Sequence, residues 1–146
     1  MRNVLLFALA AALFLRADLN PSVNFAPLPA STLAVTALSA AATTVTATLP
    51  LVTGQFHYIT SIAISRSCTG AITGTALLAV TTTNLPGSLA WTSGNACAVG
   101  STNQDMAMSF SSPLKSSVAG TATTLVAPSA GALGQYRLTV TYYAAP

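Results

Sequence analysis

Glutamate does not occur in this chain, aspartate occurs twice and histidine once. With five Lys and Arg, only 5% of the 146 residues carry charge, against about 25% in an ordinary soluble domain. The charged set is Arg2, Arg16, Asp18, Arg66, Asp105, Lys115 and Arg137. These shortages exclude most chemistry. A hydrolase triad needs an acid, a His and a nucleophile. Beyond the N-terminal stretch only His57 and Asp105 could supply the first two, and no Gly-x-Ser-x-Gly elbow occurs. A glycosidase pair would need two carboxylates close together, yet Asp18 belongs to the N-terminal arm. Zinc would have to draw on His57, Cys68, Cys97 and Asp105, none of which has ligand-pair spacing. Calcium sites want several carboxylates. Gly70, Gly74 and Gly87 read as strand-end and turn glycines, and no Walker or Rossmann pattern surrounds them. The expectation is no enzyme: no catalytic residue, no cofactor-binding residue and no metal ligand. His57 then reads as a surface or interface imidazole, and His57→Ala or Asp105→Asn should leave folding nearly untouched.

Scarce charge has a second consequence. A protein alone in water usually stays dispersed by charge, and here Ser, Thr, Asn and Gln must substitute. Either much of the surface is covered by other copies or partners, or the chain is a secreted protein with a hydroxyl-rich β surface. The net charge of +3 comes from scattered cations. Nucleic-acid footprints need a cluster, so no nucleic-acid partner is expected. Cys68 and Cys97, 29 positions apart, are too few for a disulfide scaffold. They could bridge, or they could be buried thiols; nothing else looks disulfide-dependent, so unpaired thiols are slightly favoured.

What the chain does have is alternation. In residues 55–66, Phe56, Tyr58, Ile62 and Ile64 fall on one side, with Thr60 among them. His57, Ser61, Ala63 and Ser65 fall on the other, interrupted by Ile59. In residues 135–143, Tyr136, Leu138, Val140 and Tyr142 alternate with Arg137, Thr139, Thr141 and Tyr143. Period two with aromatic and β-branched residues marks half-buried strands. These two are the strongest apolar ridges and are expected to be mates. Most aromatics then read as core, with a stacking platform for sugars or bases as the competing use; Tyr143 lies on the polar side and could be interfacial.

Further strands are expected at 33–38, 43–49, 73–83, 88–92, 106–110 and 121–127, with loops at 93–95 and 111–117. At Asn84-Leu85-Pro86-Gly87, Pro presets φ and Gly accepts a positive φ, which makes a turn. Eight strands with turn signals between them, and no helical period after residue 30, predict an all-β antiparallel sandwich of jelly-roll type over residues 31–146.

Residues 1–30 stand apart. An apolar run of twelve, residues 4–15, follows Arg2 and precedes Arg16 and Asp18. It predicts a short N-terminal helix. Three uses stay open: docking on a partner or sister copy, a signal peptide with a poor cleavage site, or a membrane anchor, for which about 20 residues are needed. Pro21, Pro27 and Pro29 make the following segment an extended arm.

Several stretches resemble a family. They are Thr48-Leu49-Pro50 through Gly54-Gln55-Phe56-His57-Tyr58-Ile59, Thr81-Thr82-Thr83-Asn84-Leu85-Pro86-Gly87-Ser88 with Trp91, Ser112-Pro113-Leu114-Lys115-Ser116-Ser117, and residues 136–143. Together they are similar to small β-sandwich structural proteins of tailed bacteriophages and prophages. The likeness covers roughly residues 40–145 and carries no catalytic residue. It implies a virion protein: a decoration or cement protein on the head, or a small tail or fibre-associated component. Partners would be the major capsid protein or other virion proteins, and sister copies in a homo-oligomer; a trimer would suit a capsid three-fold position. The competing reading is a secreted or cell-surface adhesin-like module.

Overall fold

A computed structural model describes residues 31–146, apart from 74, 75, 88, 94 and 95, with backbone alone for 76, 77 and 91–93. The expected N-terminal helix and proline arm lie outside the described residues. Eight strands follow in order: β1 Leu33–Leu38, β2 Val45–Leu49, β3 Phe56–Cys68, β4 Ala76–Thr82, β5 Leu89–Ser93, β6 Thr102–Lys115, β7 Thr123–Ala127 and β8 Gly134–Ala145.

Pairing is nested. The first strand pairs with the last, the second with the seventh, the third with the sixth and the fourth with the fifth, all antiparallel. Two further pairings, β3 with β8 and β4 with β7, complete two four-stranded sheets of order β1-β8-β3-β6 and β2-β7-β4-β5. The chain changes sheet at every connection except that between β4 and β5. Two antiparallel sheets with a shared core are a β-sandwich. The expected mating of residues 55–66 with 135–143 is observed, running from Phe56 opposite Ala145 to Cys68 opposite Gly134.

The core is built from alternate residues of both sheets. Val45, Ala47 and Leu49 of β2, Leu125 and Ala127 of β7, and Leu78 and Val80 of β4 meet Ile59, Ile62 and Ile64 of β3 and Tyr136, Leu138, Val140 and Tyr142 of β8. The apolar side of β8 read from sequence is buried throughout. On β6 Met106 is buried, whereas Met108 is 42% exposed because β6 is an edge strand. The connections β2–β3, β4–β5 and β6–β7, the start of β1 and the end of β8 all lie at one end of the sandwich. Gly87 there has φ +86°, as the Pro-Gly turn requires. Exposed Leu51, Val52 and Val118 belong to the same loop end.

Candidate functional site

Two irregularities in β3 and its partner decide which side chains face the core. Ile59 lies opposite Tyr142 and Ser61 opposite Thr141, so Thr60 is an extra residue with no mate on β8. A bulge of this kind shifts the side-chain alternation by one. His57 and Ile59 face inward before it; Ile62, Ile64, Arg66 and Cys68 face inward after it. The expected grouping of Phe56 and Tyr58 with Ile62 and Ile64 is therefore wrong. Phe56 and Tyr58 stand on the outer face, and His57, expected at a surface or interface, is 1% exposed. On the other side Ile59 faces Leu114 and Ser61 faces Ser109, so residues 110–113 bulge together opposite Thr60. Pro113, which has no N–H for a ladder, sits in that bulge on the edge strand. Residues 111–115, expected as loop, thus belong to a strand that ends at Lys115.

The His57 ring is held from two sides. Its Nε2 lies 2.9 Å from the Pro50 carbonyl and its Nδ1 2.8 Å from Thr123 Oγ1. A carbonyl only accepts, so Nε2–H donates to it; in the neutral ring Nδ1 then accepts from the Thr123 hydroxyl. Thr123 Oγ1 also lies 3.1 Å from Asn84 Nδ2, which donates toward the Val118 and Thr121 carbonyls as well. Asn84 Oδ1 accepts from the Val118 amide at 2.7 Å. Asn84 has φ +59°, a conformation Asn tolerates better than most residues. One chain of hydrogen bonds therefore crosses from β3 to β7 and binds all three loops of this end. Read as a turn residue, Asn84 is also the hub of the loop end; its left-handed tendency was the only signal of that in the sequence.

A hydroxyl beside an imidazole is the arrangement of a nucleophile and its base. Here both groups are enclosed, with Thr123 fully buried, and no carboxylate among the described residues bonds to the ring. The pair braces the loops. This burial and bonding argue against the expectation that His57→Ala would leave folding untouched. That change strands the Thr123 hydroxyl and the Pro50 carbonyl, and should lower unfolding free energy by about 1–3 kcal/mol. Urea midpoints of wild type and variant check it; coincident curves would mean the brace contributes nothing.

Asp105 occupies the second irregularity. Ile64 faces Met106 and Ser65 faces Gln104, which leaves Asp105 extra on β6. Its carboxylate is fully buried against Arg66, with Nη2 donating to Oδ1 at 3.2 Å and Nε 3.2 Å from Oδ2. The Nε contact is an ion-pair approach and is not aligned as a hydrogen bond. His57 and Asp105 thus have separate partners. Tyr136, opposite Arg66 on β8, has its phenol pKa raised from 10.0 by burial first and by the Asp105 carboxylate second, with Arg66 opposing. Burial raises that of Tyr142. The neutral phenols are favoured in the fold, so their contribution is complete below about pH 10 and is lost as pH climbs through the raised values. Ultraviolet titration should show two of the four tyrosines ionising together with loss of the β signal. Ionisation of all four before unfolding would contradict this.

Cys68 and Cys97 form a disulfide, which corrects the preference for unpaired thiols. Cys97 also exchanges both backbone hydrogen bonds with Ile72, at 2.9 Å each. Among the described residues no three His, Cys, Asp or Glu side chains gather as a metal site.

The outer face of the β1-β8-β3-β6 sheet carries an aromatic corner. Tyr58 and Tyr143, cross-strand partners, stack with centroids 4.9 Å apart and planes 5° from parallel. Lys115, opposite Tyr58 on the other flank, places Nζ 3.8 Å from the Phe56 ring centroid and 5.7 Å from that of Tyr58. Lys115 and Arg137 are the only exposed charged side chains among the described residues. Comparison with known proteins finds no matching family model, no matching curated protein and no matching solved structure.

Proposed function

We propose that this chain is a non-enzymatic structural protein of a virion, one that binds the capsid surface and stabilises it as a decoration or cement protein. The nested pairing, with one long hairpin of four strand pairs wrapped into two sheets, supports reading the sandwich as a jelly roll. Viral capsid domains use that architecture, as do lectins and cupins. The observation that carries the reading is the exterior. Two exposed charged side chains among the described residues leave little desolvation cost at a contact. Buried charges are expensive, whereas hydroxyls can pair across an interface. A standard interface of about 1,200–2,000 Å² can then form from Ser, Thr and Ala with a few apolar anchors. The braced loop end offers Leu51, Val52 and Val118 as such anchors. Sister copies in a cyclic homo-oligomer, a trimer at a three-fold position being one form, would cover more of the same surface.

The disulfide fits a virion exterior, and it fits a secreted adhesin-like module equally. Density-gradient banding of phage particles separates the two. The chain should co-band with filled particles, with residues 1–30 still attached. Recovery only as a cleaved, free monomer in the medium would overturn the virion reading in favour of export. Electron microscopy of the banded particles assigns head or tail; density on the tail alone would replace the cement role by a tail or fibre-associated one.

A further inference from the structure

At the loop end the two sheets part and leave a notch of ≈ 100 Å³. Leu85, Pro86, Leu89 and Leu114 line it, with Thr82 and Lys115. It is larger than the ~30 Å³ of a water and smaller than the ~150 Å³ cavity that admits benzene. One branched aliphatic side chain fits that range. We propose that this notch and Lys115 form a docking subsite for a partner protein. The notch would take one bulky aliphatic side chain, and Lys115 would meet a carboxylate beside it in the partner's chain.

Three observations support this occupant. The wall is apolar and already half-buried against the core: Leu85, Leu89 and Leu114 pack on it from outside. Among the described residues no Asp or Glu side chain competes for Lys115, because Asp105, the one such side chain there, is buried against Arg66. Its ammonium is held over the Phe56 ring at 3.8 Å, so little freedom is lost when an anion arrives. The Thr123–Asn84–Val118 hydrogen bonds fix the loop that carries Leu85 and Pro86. The same geometry disfavours a glycan: Tyr58 and Tyr143 turn ring faces toward each other, and one face of Phe56 is taken by Lys115.

The subsite rests on the chain being a contact protein, and the two can fail separately. Nitrogen-proton NMR titration of the full chain with capped tripeptides tests the subsite. Asp-Leu-Asp should shift the amides of Leu85, Leu89, Leu114 and Lys115, with Asp-Ala-Asp binding about tenfold more weakly or worse. Lys115→Glu should reverse the preference toward Lys-Leu-Lys. Equal response to all three peptides, or shifts elsewhere, overturns the proposal. Polygalacturonate moving Tyr58 and Tyr143 while the peptides move nothing overturns it too, in favour of an acidic glycan. In the particle assay, a wild-type chain that fails to co-band sinks the virion reading. A Lys115→Glu chain that co-bands as well as wild type sinks the subsite alone.

Discussion

Replacing Arg66 by Met should remove about 3–5 kcal/mol of folding stability, a large part of the roughly 5–15 kcal/mol a domain possesses. The Asp105 carboxylate is fully buried, and without its guanidinium it becomes a lone charge in the sheet. The pair itself is not the source of that much net stability, because desolvating both charges offsets most of their attraction. The double change Arg66→Met with Asp105→Leu therefore should recover wild-type stability or exceed it. Asp105→Asn, once expected to be silent, should fall between, since an amide can still accept from Arg66. Denaturant unfolding of the four proteins measures all of this. A single Arg66→Met variant as stable as wild type would show that the buried carboxylate finds water or another donor, and the account of Asp105 would fall.

The strands were legible where the pattern of a strand is its own. β1 was placed at its observed limits, and β8 buries each residue its alternation assigned to the core. β3 was legible as a strand but not in phase. A bulge exists only between two strands, so no pattern within residues 55–66 could fix Thr60 as the extra residue. Ile59, apolar on the supposed polar side, was the one trace of it. That single slip moved His57 into the core and put Phe56 and Tyr58 outside. The same holds for Asp105, whose inward turn depends on the register of Gln104 and Met106 against β3. His57 and Asp105, the one histidine and the one acidic side chain among the described residues, each have a structural post.

The surface was legible as a quantity and not as a place. Composition gave few charges; it could not say that Lys115 would stand over Phe56, 59 residues away in the chain, or that the end of β6 would border an apolar notch. Those juxtapositions come from the β3–β6 register. The Pro-Gly turn was legible because φ demands are local, and Gly87 meets them.

Removing the disulfide should have the second largest effect, and a localised one. The bond closes a loop between Cys68 and Cys97, 29 positions apart, and that loop contains β4 and β5. The chain leaves one sheet at the end of β3, builds two strands of the other, and returns at β6. Those two strands are weakly tied: β4 pairs with β7 only at Thr81 and Thr82, and β5 pairs only with β4 among the described residues. Loop-closure entropy for this length is about 3.5 kcal/mol, so Cys68→Ala with Cys97→Ala should lower the unfolding free energy by about that much. The loss should appear first in the β4–β5 hairpin, because the β1-β8-β3-β6 sheet keeps its long β3–β6 and β3–β8 ladders. Hydrogen exchange under reducing and oxidising conditions resolves this residue by residue. Amides of Leu78 and Val80 should lose protection on reduction while those of Ile62 and Val140 hold theirs. Uniform loss across both sheets would mean that the hairpin and the sandwich open as one unit, and that the bridge stabilises the whole fold without holding this excursion in particular.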